Sequence, residues 1–115
     1  MKICTLNKIA ACGTDRFGAQ YEIVDDIAGA DGVMVRSAAM HDMAMPETLV
    51  AIARAGAGVN NIPVDACSEQ GIVVFNTPGA NANAVKELVL AGLFLASRKV
   101  VDGCNWAQTL IGEGD

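Results

Sequence analysis

The stretch "LVAIARAGAGVNNIPVDACSEQGIVVF", residues 49–75, places two apolar runs on either side of a glycine-bearing turn and a short helical segment. The runs "LVAIA" (49–53) and "IVVF" (72–75) are continuously hydrophobic rather than alternating. That is the pattern of parallel strands covered on both faces. Between them "PVDACSEQG" (63–71) reads as a short helix, with Pro63 in its first turn, Asp65 near the positive end and Gly71 as the stop. Upstream, "KICTL" (2–6), "YEIV" (21–24) and "GVMV" (32–35) continue the same alternation of strand with helix or loop. The expected fold class is therefore α/β, built on an open, mostly parallel sheet.

Downstream the pattern predicts a long helix from about Asn83, with Asn81 and Asn83 as cap residues and Glu87 suited to its first turn. From Val85 to Ala96 it is apolar nearly all round, so burial on more than its sheet-facing side is expected. Beyond Arg98-Lys99, Val100, Cys104, Ala107 and Ile111 repeat at helical spacing beside Trp106 and Leu110, and "GEGD" ends the sequence. A helix heading outward with a lone tryptophan reads as a connection to something absent; docking back on its own domain is the plainer alternative.

At 115 residues the chain fits one modest domain, long enough for a core without disulfides or metal. Its 52% hydrophobic content is high for an isolated domain of this size and points to apolar surface meant for something else. A net charge of −5 argues against nucleic-acid binding. Cys4, Cys12, Cys67 and Cys104 form no C-x-x-C pair and no metal-type spacing, so they read as buried thiols of a cytoplasmic protein. No targeting segment is visible, and "LVLAGLFLA" (88–96), flanked by charges, is far short of the roughly 20 residues that span a bilayer.

Ligands of open parallel sheets bind beyond the carboxyl ends of the strands. Those ends are followed by Asn7-Lys8, "RSAAM" (36–40), "RAGAGVNN" (54–61) and "NTPGANAN" (76–83). Between Arg16 and Lys86 the only cationic residues are Arg36 and Arg54, both at expected strand ends. This placement in an acidic chain points to a small anion, which the planar guanidinium fork grips in a bidentate way. Gly56 and Gly58 let the backbone turn sharply and aim N–H groups at such an anion. As a dinucleotide fingerprint the stretch fails: Asn61 stands where the third glycine of G-x-G-x-x-G belongs, and Pro63 opens only a short helix. A plain tight turn is the alternative reading.

His41, the single histidine, stands beside Asp42 in "AMHDMAMP" and reads as a solvated loop residue. Asp25-Asp26 does not make a receiver-type phospho-acceptor pocket, because Asn7 and Arg36 stand where that chemistry needs acids. No metal site is expected. Met34, Met40, Met43 and Met45 are core and loop filler.

"VRSAAMHDM", "IARAGAGVNNIPVDACSEQGIVVFNTPGANANAVKELVLAGLFLASR" and "NWAQTLIG" together resemble the N-terminal part of D-3-phosphoglycerate dehydrogenases, within the D-isomer-specific 2-hydroxyacid dehydrogenase family. The resemblance implies a flavodoxin-like substrate-binding domain, here incomplete over 1–98, and a crossover helix over 99–115 leading to an absent NAD-binding Rossmann domain. It implies that Arg36 and Arg54 hold a substrate phosphate, and that backbone N–H groups around Gly58 and Val59 hold its carboxylate. Ala57 falls where relatives touch the nicotinamide end of NAD, often through a threonine, and alanine keeps only the backbone part. Asn60 replaces an aspartate common in relatives. The catalytic arginine, glutamate and histidine belong to later parts of the family's sequences, so no catalytic residue is expected here and His41 is not one. The implied parent is a cytoplasmic homodimer or higher homo-oligomer that oxidises 3-phosphoglycerate with NAD in serine biosynthesis. The chain alone would be inactive. The alternatives are a dehydrogenase for glyoxylate, hydroxypyruvate or lactate, and a freestanding module that binds a small anion or a partner.

Overall fold

The computed structural model describes residues 1–112; the last three residues of "GEGD" lie outside the described part. Two compact units divide the chain, Met1–Ala80 and the residues from Asn81 onward.

The first unit carries a five-stranded parallel sheet of β1 (Lys2–Thr5), β2 (Glu22–Val24), β3 (Gly32–Val35), β4 (Ala51–Arg54) and β5 (Val73–Phe75). Its order is β2-β1-β3-β4-β5, the flavodoxin-like winding expected from the sequence, with the reversal point between β1 and β3. The short helices α1 (Ala11–Thr14) and α2 (Val64–Glu69) belong to the same unit. Pro63 occupies the cap position of α2, just before the first turn, and Asp65 lies in that turn. At the other end Gly71, at φ +75°, closes α2: its N–H donates to the Ser68 carbonyl (3.1 Å), and the Ile72 N–H to the Cys67 carbonyl (2.8 Å). This paired closure needs a left-handed residue just past the helix, which glycine adopts at little steric cost. β4 begins at Ala51, two residues later than the apolar run, and ends on Arg54.

Strand register sorts the side chains into two faces. Cys4, Val33, Val35 and Ile52 point to one face and pack with Met40, Leu49, Ile62, Cys67 and Ile72 into the core. On the opposite face Ile23, Val73 and Phe75 are 40%, 52% and 57% exposed. Continuous apolar runs led to an expectation of cover on both faces; among the described residues one face is sealed and the other is partly open. The cysteine expectation also divides. Cys4 and Cys67 are buried, whereas Cys12 and Cys104 are exposed, because both lie on helices that bury no residue.

The second unit holds α3 (Ala82–Ser97) and α4 (Val100–Thr109), separated by Lys99 in the left-handed conformation at φ 48°. Asn81 caps α3 by position but makes no side-chain cap bond. Asn83 instead spends its side chain inside the helix, donating to Glu87 (2.7 Å) and accepting from Lys86 (2.6 Å). Glu87 thus sits past the first turn, which holds no acid. The expected burial of α3 is not observed. No residue of α3 or α4 is buried, with Leu88 at 75% and Phe94 at 67% exposure. Apolarity all round requires neighbours on several sides, and the described chain does not supply them. No helix among the described residues is long and apolar enough to cross a membrane.

Candidate functional site

The registered pair Val35 and Arg54 ends the central strands β3 and β4 side by side. Arg36 is the first residue past β3, and its side chain is exposed. Arg54 folds back over its own loop: its Nε donates to the Arg36 carbonyl at 3.0 Å. The sheet therefore brings together the two arginines singled out from sequence, joined through one backbone oxygen.

The glycine loop is shaped around that guanidinium. A Cβ on Gly56 would stand 2.6 Å from Arg54 Nη1 and 2.8 Å from Cζ, so the arginine lies directly on the Gly56 backbone. At Gly58 a Cβ would come within 3.3 Å of Asn60 Oδ1 and 3.6 Å of Arg54 Nη1. The Gly56 N–H donates to the Arg54 carbonyl (2.9 Å) and the Ala55 N–H to Val35 (2.8 Å). From β5, the Thr77 N–H donates to the Gly56 carbonyl (3.0 Å) and Asn76 Nδ2 to the Ala57 carbonyl (2.7 Å). The Arg54, Gly56 and Ala57 carbonyls are thus tied down. Among the described residues no hydrogen bond uses the N–H groups of Ala57, Gly58 or Val59, and Ala57 and Gly58 are exposed. Two arginines and a row of unspent amide donors at one end of a sheet are groups of the kind that hold anions.

Three asparagines to which sequence reasoning gave no structural role hold this arrangement. Asn7 Oδ1 accepts from the N–H groups of Arg36, Ser37 and Ala38 at 2.8, 3.0 and 3.1 Å. Asn61 Nδ2 donates to the Ala38 carbonyl at 2.8 Å, while its Oδ1 is buried without a partner among the described residues. Asn76 anchors the loop from β5. The available signal was positional: amides placed just past strand ends, where loose backbone groups need partners.

His41 is exposed, and its Nε2 donates to the Asn60 carbonyl at 2.9 Å, which makes it a loop tie. Met40 is fully buried, with Met43 and Met45 partly buried against the same core. No cluster of three or more metal-ligating side chains occurs among the described residues. The Cys4 thiol is pushed above its ordinary pKa by burial, then by the Asp26 and Asp25 carboxylates; burial alone raises Cys67. Neither thiol is primed as a nucleophile.

The loop does not fit a dinucleotide's pyrophosphate. Asn61 stands where a third glycine would allow close helix–strand packing, with its amide turned to the Ala38 carbonyl, and α2 is only six residues long.

The profile described as D-isomer specific 2-hydroxyacid dehydrogenase, catalytic domain, matches residues 6–109. The chain is 40% identical over 76 residues to a D-3-phosphoglycerate dehydrogenase of Mycobacterium leprae, covering 64% of this chain and 14% of that protein. It is 45% identical over 78 residues to a hydroxypyruvate reductase of Thermotoga maritima, covering 65% of this chain and 25% of that protein. Among solved structures, NAD+-bound 3-phosphoglycerate dehydrogenase of Entamoeba histolytica superposes with a TM-score of 0.69 at 32% identity, over 83% of this chain and 38% of that one. The chain thus spans well under half the length of each of these relatives. With the family profile matching residues 6–109, nearly its whole length, the chain belongs to the D-isomer specific 2-hydroxyacid dehydrogenase family.

Proposed function

We propose that the chain supplies the substrate-binding part of an NAD-dependent D-3-phosphoglycerate dehydrogenase, acting in the cytoplasm in serine biosynthesis. The observation that carries this reading is the pairing of Arg36 and Arg54 through the Arg36 carbonyl, beside the unspent N–H groups of Gly58 and Val59. In this reading the guanidinium groups grip the phosphate and the loop N–H groups grip the carboxylate, fixing the 2-hydroxyl carbon between two anionic handles. Rigid positioning of this kind accounts for several kcal/mol of a typical enzymatic barrier.

NAD, which supplies the hydride acceptor when bound, would be held elsewhere, since the loop here cannot cradle its pyrophosphate. Ala57 would face its nicotinamide end with its backbone N–H; the carbonyl is committed to Asn76. Residues 1–98 would form the substrate-binding segment and 99–115 the connection toward the cofactor domain. The chain by itself binds and orients but turns nothing over, and the exposed helices of its second unit serve homodimer or higher homo-oligomer contacts.

The hydroxypyruvate reductase likeness favours a second reading, an enzyme for an unphosphorylated acid, which would need fewer cations. Kinetics of the full-length enzyme decide between them. Changing Arg36 to Ala should raise KM for 3-phosphoglycerate about tenfold or more while changing turnover of glyoxylate little, as expected when one charge-assisted contact is removed. Equal losses on both substrates would remove the phosphate role.

A further inference from the structure

We propose that Asn7 is a specificity-determining positioning residue of the anion site. Its neutral side-chain oxygen fills an anion-binding concavity and leaves the arginine charge for the substrate. The proposal rests on the reading of Arg36 and Arg54 as the phosphate grip.

Three consecutive N–H groups, those of Arg36, Ser37 and Ala38, converge on Asn7 Oδ1 within 3.1 Å. Such a convergence is a nest, which by itself attracts an anion. It lies between β1 and β3, where the strand order reverses and open sheets bind ligands. A substrate phosphate would have this nest as a rival seat to the arginines. Asn7, leaving the end of β1, occupies it with an amide oxygen.

The other edge of the same segment is held as firmly. The Arg36 carbonyl accepts from Arg54 Nε, and the Ala38 carbonyl from Asn61 Nδ2. With N–H groups bound on one side and carbonyls on the other, the direction in which Arg36 leaves β3 is set, and Asn7 makes three of those bonds. Aspartate has the same shape and would satisfy the same donors. As a carboxylate, however, it would place a negative charge against the backbone segment that carries Arg36 and holds Arg54, and so oppose the phosphate. Asparagine thus differs from aspartate here in function while matching it in structure.

Titrating the 115-residue chain with inorganic phosphate tests this, following the 15N resonances of the Arg36 and Arg54 Nε groups and of amides 36–38. In the natural chain phosphate should shift both Nε signals and leave amides 36–38 nearly still. Asn7→Asp should keep thermal stability and the hydrogen-bonded amide shifts while weakening phosphate binding about fivefold or more, the size expected for one charge a few ångströms away. Gln20→Glu, with the same added charge at the opposite end of the sheet, should bind as the natural chain does. Asn7→Ala, if it folds, should let phosphate enter the nest and move amides 36–38; if it does not fold, the aspartate comparison decides alone. Asn7→Asp binding phosphate as tightly as the natural chain would overturn the role of Asn7 and leave the arginine grip standing. A natural chain whose Nε signals ignore phosphate would overturn the grip itself, and this proposal with it.

Discussion

At the scale of single residues, chemistry in this chain is decided by what each polar atom is already bonded to. Arg54 and Gly56 are one unit, since the guanidinium occupies the space where any other residue's Cβ would be. The thiols follow the same logic. Cys12 and Cys104 are exposed, whereas Cys4 and Cys67 are buried and hold their protons above the usual thiol range. Iodoacetamide at neutral pH should therefore label Cys12 and Cys104 rapidly in the native chain, and all four thiols after denaturation, read by intact mass. Native labelling of Cys67 as fast as Cys12 would contradict the burial. The sign of the pH effect follows: above the ordinary thiol pKa the unfolded chain loses these protons first, so the folded state binds more of them. Stability should then fall as pH rises through that window toward the folded-state values, with no contribution from these thiols below it.

Among the elements, α2 is a helix whose two ends are legible in the amino-acid sequence. Pro63, Asp65 and Gly71 mark it there, and the fold adds the paired closure at Gly71 with φ +75°. No atom would meet a Cβ there, so the cost of Gly71→Ala is conformational only. It should destabilise the chain by about 1 kcal/mol in urea melts, without altering phosphate binding. A neutral result would mean that α2 ends in another way in solution. The long helix was legible in extent but not in surroundings. Asn83 and Glu87 were expected to serve its start, yet their side chains pair across one turn because i and i+4 positions face each other on a helix. Burial failed as an expectation for a different reason: periodicity reports how much apolar surface an element carries, never what covers it.

For the whole molecule, exposed apolar surface is the dominant feature of each unit. Phe75 and Val73 lie open on the sheet, Leu88, Phe94 and Trp106 on the two helices, and Ile111 just past α4. Contiguous apolar surface of this sort drives association. Sedimentation velocity should show mass rising with concentration, and Leu88→Lys with Phe94→Lys should shift it toward the monomer. A strictly monomeric mass at high concentration would sink the idea that residues 85–111 mediate contact between copies.

The amino-acid sequence by itself determined the α/β class, the number and approximate limits of the five strands, and the placing of Arg36 and Arg54 at strand ends. It could do so because apolar runs, helix stops and isolated cations are local marks, each readable within a few residues. It also excluded the dinucleotide loop, since one wrong residue, Asn61, is enough. Only the tertiary structure decided that Arg54 binds the Arg36 carbonyl, that Asn7 gathers three amides some thirty positions away, and that one sheet face is sealed while the other is open. Those facts depend on strand order and register, which bring together groups far apart in the chain, and no local pattern encodes which strand end will lie beside which.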